Sequence, residues 1–265
     1  MVFKREWKRA QKSLWLWAIS LGAMCVLILS VYPQFAANKA QLEELIQLYP
    51  EAMLKAFNIE SLGFETALGF YGIEGYMFVT LFGSIFASLL GGNMLVKEES
   101  DKTIEFLLAK PISRSSIVAQ KAAAIGVVIL CFNVFLTVVM AIGFELAEES
   151  AFRTTEFWLL MFAPFLLHLT FAYLAFGISS FFRKQRQTTA MVLAIVLGTY
   201  FLNIAASISE SLEKLAYLSP FFYVDASTIL ANETFRWEYI LVLVVVSVVG
   251  ILLARWQFMR KDIVV

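Results

Sequence analysis

Cysteine, histidine and charge are scarce in this chain. Of 265 residues two are Cys and one is His, and 16% are charged. Cys25 and Cys131 both fall inside apolar stretches, which reads as small core residues rather than a disulfide or a metal pair. A single histidine, His168, leaves no HExxH and no two-histidine metal motif. No GxxxxGK[ST] occurs, so the chain lacks the phosphate-binding loop that ATP hydrolysis by that route requires. No GxSxG occurs either. These absences leave little room for catalysis, and no metal site or cofactor is expected in the chain itself.

What abounds is apolar sequence. Hydrophobic residues make up 60%, Phe alone numbers 25, and the mean hydropathy is +0.76. The apolar residues come in six blocks of about 20, the length that crosses roughly 30 Å of hydrocarbon. The blocks are continuous rather than alternating, which excludes a membrane β-barrel. The expectation is an all-α polytopic membrane protein with six transmembrane helices, at about 14–33, 73–96, 120–144, 157–182, 188–207 and 237–258.

The net charge of zero hides an asymmetry. Segments 1–13, 97–121, 183–187 and 255–265 carry 16 of the 21 Lys and Arg, whereas the alternate segments carry 15 of the 21 acids. Basic residues next to spans are retained in the cytoplasm, so the pattern predicts both termini inside. Five basic residues precede the first span, but Tyr32-Pro33-Gln34-Phe35 is a poor cleavage site, and the span is read as retained.

In segment 1–13, Phe3, Trp7, Ala10 and Leu14 recur at helical spacing, opposed by Lys4, Arg5, Lys8 and Arg9. This predicts a basic amphipathic helix on the inner membrane surface, leading into span one, which ends near Pro33. In the outer loop 34–72, Leu42, Leu45, Ile46, Tyr49 and Met53 form a helical stripe, with Glu43, Glu44, Gln47 and Glu51 off it. Gly91-Gly92-Asn93 closes span two, where small residues allow close helix contact.

The inner loop 97–121 divides at Pro111. Residues 98–109 read as a helix with Ile104, Leu107 and Leu108 on one face, and Ser113 caps the segment entering span three. A short helix flanked by charges of both signs suits docking by another protein. Segment 208–236 is too apolar for a solvated loop: Leu212, Leu215, Leu218, Phe221, Phe222 and Tyr223 interrupt it. It reads as an outer re-entrant pair of short helices broken near Ser219-Pro220. His168 lies four residues after Pro164. It suits bonding a carbonyl freed in that kinked turn, and as an ionisable intramembrane residue it also suits a proton relay. The abundant Phe fits lipid-facing packing and equally the path of an amphipathic cargo.

The stretch Glu98-Glu99-Ser100-Asp101-Lys102-Thr103-Ile104-Glu105-Phe106-Leu107-Leu108-Ala109-Lys110-Pro111-Ile112-Ser113-Arg114 resembles the loop between spans two and three of ABC-2 type transporter permeases. Lys102 stands where that family often has glycine, a departure expected to extend the helix. Ser219-Pro220 also looks like a family element before span six. The resemblance spans the chain and implies one transmembrane domain: elbow helix 1–13, six spans, coupling loop 97–119 with its cytoplasmic coupling helix, and outer segment 208–236. It further implies the transmembrane subunit of a bacterial ABC exporter, in the cytoplasmic membrane. Such a subunit pairs with a second permease, as homodimer or heterodimer, and with two copies of a separate ATPase that carries the ATP and Mg. Glu98, Glu99, Asp101, Thr103, Ile104, Glu105, Leu107 and Leu108 would dock that ATPase; Phe3, Lys4, Arg5, Trp7, Lys8 and Arg9 would lie against lipid. Nucleic acid is not an expected partner. Amphipathic or hydrophobic cargo is the favoured reading; ABC-type sodium efflux is the alternative. An intramembrane enzyme using His168, or a scaffold that recruits an ATPase, stands as a reading of another class.

Overall fold

The computed structural model describes residues 2–38, 48–56, 59, 66–105, 111–147 and 154–261. Six long helices dominate: α1 (Val2–Ala37), α2 (Tyr76–Ser100), α3 (Arg114–Leu146), α4 (Thr155–Ser179), α5 (Gln185–Ile208) and α6 (Trp237–Arg260). All six are long and apolar enough to cross a membrane. The chain is a multi-pass, all-α membrane protein.

Helix starts follow local chemistry. Ser113 Oγ accepts from the Ser116 amide to cap α3, and Thr154 Oγ1 accepts from Phe157 to cap α4. Pro111 lies outside α3, where a missing N–H costs nothing. Before α2, Ala67–Phe70 and a π-turn at Tyr71–Gly75 run into the helix without a break.

The bundle is built around α4. Helices α2, α3, α5 and α6 all pack on it, while α1 lies mainly along α3. Gly91 of α2 meets the backbone of Ala172 in α4, where any Cβ would collide with the carbonyl oxygen, and adjacent Gly92 faces Val192 and Thr188 of α5. Two consecutive glycines thus admit the backbone of α4 on one side and side chains of α5 on the other. Helices α5 and α6 bury only narrow edges, Thr188, Val192 and Val196 in one and Leu243, Gly250, Ala254 and Phe258 in the other. Their remaining apolar surface, including Phe201, Val245 and Leu252, is exposed, as a lipid-facing wall would be.

The N-terminal amphipathic helix leads into span one as expected, while its end and its buried face differ from the expectation. The amphipathic segment and span one form a single 36-residue helix, about 54 Å long at 1.5 Å per residue. The helix passes through Pro33 to Ala37 rather than stopping there. Its buried stripe is Val2, Glu6, Ala10, Leu14, Ala18, Leu21, Cys25, Leu29 and Tyr32. Phe3 and Trp7 are only half-buried, because the acid between them turns inward and sets the rotation.

At the end away from the termini, Glu51–Ala56 packs on α5, with Leu54 buried and Tyr49 and Met53 exposed. Leu42, Leu45 and Ile46 lie outside the described residues. Segment 208–236 folds as three short helices, Glu210–Leu218, Pro220–Val224 and Ala226–Asn232, broken at Ser219 and again at Asp225. Ser219 Oγ donates to Thr199 O and accepts from the Phe221 amide, and Asp225 caps the third helix through the Thr228 amide. Tyr76 O–H donates to Val224 O, tying this segment to α2.

Candidate functional site

The helix α2 ends in a Schellman motif. Thr103 N–H donates to Glu98 O and Lys102 N–H to Glu99 O, the paired bonds that satisfy a helix's last carbonyls. The motif needs a left-handed residue, and Lys102 takes that conformation with φ 55°. Lys102 therefore does not extend the helix; it occupies a conformation that favours glycine, at a backbone cost of about 1–2 kcal/mol. The turn reverses the chain and sends it into the loop that resembles the coupling segment.

Directly beneath the turn lies a cluster of buried charges. Glu6 of α1, Glu98 of α2 and Lys121 of α3 are each at most 1% exposed. Lys121 Nζ donates to Glu6 at 3.0 Å, to Glu98 at 3.3 Å and to the Met94 carbonyl at 2.6 Å. Glu6 also pairs with Lys97 and, at 3.0 Å, with Arg5. Glu98 accepts from Arg5 at 2.5 Å and from Thr103 O–H at 2.8 Å, with Arg9 at 3.7 Å. The Glu6 carboxyl sits between the Lys121 and Lys97 ammonium groups, and the Glu98 carboxyl among Lys121, Thr103 and Arg5, so each buried acid faces bases that offset its burial. Three helices and the loop are thereby joined by charge-assisted bonds.

The same end gathers the other basic segments. Lys261 pairs with Glu99 at 2.7 Å and donates to Phe182 O at 2.7 Å. The Arg114 guanidinium donates to the Phe258 and Lys261 carbonyls, placing a cation at the C-terminus of α6. Among the described residues, parts of segments 1–13, 97–121 and 255–265 thus meet at one end of the bundle, beside Phe182 just before segment 183–187.

A second polar centre sits in mid-bundle. His168 of α4 is fully buried, with Nδ1 3.0 Å from Asn133 Oδ1 and Nε2 3.1 Å from Val79 O. A neutral imidazole carries one N–H and donates to one of these oxygens. The histidine does not serve the carbonyl freed by Pro164 in its own helix; it crosses to α3 and α2. Gly83 of α2 makes the crossing feasible, since a Cβ there would overlap the imidazole. Among the described residues, no group of three His, Cys, Asp or Glu could hold a metal ion.

A family model described as "ABC-2 family transporter protein" matches residues 1–263. The chain belongs to the ABC-2 transporter family. No curated protein matches it. It is a permease-type membrane domain, and family membership implies pairing with an ABC ATPase.

Within the permease, the expected docking residues separate into two sets. Glu98, Thr103 and Ile104 turn inward; Ile104 is 4% exposed and part of the core. The Glu98 carboxylate meets this chain's own bases rather than a partner's. Glu99 is held by Lys261, while Asp101 and Glu105 are exposed. Leu107 and Leu108 lie outside the described residues. Of the surface-helix residues, Arg5 and Arg9 join the cluster, and Lys4 and Lys8 are exposed. The sequence reading missed Glu6, Lys97 and Lys121 as a unit. The available signals were a lone acid among five bases, four residues from Val2 and from Ala10, and a lysine running into Ala122-Ala123-Ala124.

Proposed function

We propose that this permease is the membrane subunit of a bacterial ATP-driven exporter, with both termini cytoplasmic. It works with a second permease and two copies of an ATPase. The ATPase docks on the loop after α2, through exposed Asp101 and Glu105 together with Leu107 and Leu108. Glu98, Thr103 and Ile104 do not touch the ATPase on this reading; they anchor the loop to the bundle. The observation that carries the proposal is the buried link from that loop to α1 and α3. A push on the loop reaches Glu98 and passes through Lys121 and Glu6 to two spans, as a coupling element requires. The concentration of basic residues at that end supports its cytoplasmic side. Cargo that is amphipathic or hydrophobic fits a chain with long apolar spans and short connecting segments.

The test is co-purification of the ATPase with the permease in mild detergent. Leu107→Glu should leave the permease inserted and folded yet release the ATPase, because a charge would be buried unpaired at the contact. Wild-type ATPase retention and transport by that variant would refute the docking assignment.

A further inference from the structure

A groove of about 400 Å³ opens beside the charge cluster, within the range of sites that hold small molecules. Its walls differ in character. Trp17 of α1 with Phe86, Leu89 and Leu90 of α2 form an apolar side. Glu6, Arg9, Lys97 and Asn93 form a polar side at the end of the bundle that carries the termini. The charges of the cluster do not cancel: among the described residues Arg5, Arg9, Lys97 and Lys121 pair with two carboxylates, Glu6 and Glu98. Two positive charges are in excess where the apolar spans begin. The side chain of Arg9 is half exposed and reaches Glu98 only at 3.7 Å, so its donors are largely uncommitted. Two buried polar atoms of the same region, Asn93 Oδ1 and Arg5 Nε, find no hydrogen-bond partner among the described residues.

We propose that this groove binds an anionic phospholipid from the leaflet on the termini side. The phosphate lies against Arg9 and Lys97, and an acyl chain runs along Trp17, Phe86 and Leu90. The chemistry requires both halves of the ligand. An apolar molecule leaves the excess positive charge unanswered, and a free phosphate leaves the aromatic wall uncovered. The lipid would sit against Glu6 and so against the elements that join the loop to the bundle. The inference does not depend on the cargo or on the ATPase.

Trp17 supplies the readout. The full-length protein is reconstituted into vesicles containing phosphatidylglycerol or phosphatidylcholine with brominated acyl chains, and Trp17-dependent fluorescence is taken as wild type minus Trp17→Phe. Phosphatidylglycerol should quench at a mole fraction lower by about fivefold, the factor expected for one basic side chain near anionic lipid. Arg9→Gln should abolish that preference while expression and thermal stability hold, since the side chain is half exposed. Leu90→Phe, which fills the apolar side and keeps every charge, should remove Trp17 quenching by both lipids. Millimolar inorganic phosphate should not compete. Equal quenching by the two lipids, displacement by phosphate alone, an unchanged preference in Arg9→Gln, or no Trp17 quenching because a second copy covers the groove would each overturn the proposal.

Discussion

The polar groups buried at the termini end and those buried in mid-bundle are satisfied in opposite ways. At the termini end two buried carboxylates are paired by four bases, all six drawn from three helices. In mid-bundle a single imidazole is held by one side-chain amide and one backbone carbonyl. The ionic cluster's buried core of Glu6, Glu98 and Lys121 is stable only as a set, because removing one of the three strands the others in a low-dielectric site. The histidine contact is local, and its loss leaves at most one or two unpaired oxygens. The cluster therefore suits a joint that must transmit force, and the imidazole suits a fixed spacer between α2, α3 and α4.

The contrast can be broken by substitution, and the largest effect is expected at Lys121. Lys121→Met should destabilise the purified protein by about 3–5 kcal/mol, the usual cost of stranding buried charges. Adding Glu6→Gln should recover part of that loss, so the double variant falls short of the sum. Thermal unfolding in detergent measures both. A smaller loss is expected in mid-bundle: His168→Leu should cost about 1–3 kcal/mol through the unpaired Asn133 oxygen. His168→Gln, which can keep one of the two bonds, should lie close to wild type and retain at least about half of the ATPase activity coupled to transport. If His168→Leu proves costlier than Lys121→Met, the ranking of the two centres is reversed.

Lys102→Gly sharpens the comparison from the other direction. It relieves a left-handed lysine without touching any charge pair described above, and should stabilise by about 1 kcal/mol. The smallest effect on stability is expected at Glu105, which is exposed. Glu105→Gln should stay within about 0.5 kcal/mol of wild type yet weaken ATPase co-purification, since a rim charge chiefly orients a partner.

Much of the fold was legible in the sequence because membranes impose a simple rule. A span must be long, apolar and helical, and six such blocks announce themselves. Ser113 as a cap and Gly91-Gly92 as a close approach were also readable, since both act through neighbours along the chain or through the absence of a side chain. The rotation of α1 was not. Phe3 and Trp7 look like the buried face until Glu6 finds Lys97 and Lys121, which lie far along the chain. Lys102 misled for a related reason. Propensity favours continuing the helix through a lysine, whereas the two Schellman bonds and the Glu98–Thr103 contact fix the turn. His168 was conspicuous by its rarity, but its partners on α2 and α3 depend on packing that a lone histidine does not encode.

The central claim is that the buried cluster couples the loop to the spans. Glu98→Gln tests it most directly, because it removes the charge that holds Thr103, Arg5 and Lys121 while keeping the side chain's shape. The measurement is cargo-stimulated ATP hydrolysis by the reconstituted permease–ATPase complex, with the amount of bound ATPase determined in parallel. The account predicts that the ATPase stays bound while stimulation falls by about tenfold, equivalent to losing about 1.4 kcal/mol of coupling. Full stimulation by a complex carrying Glu98→Gln would contradict it.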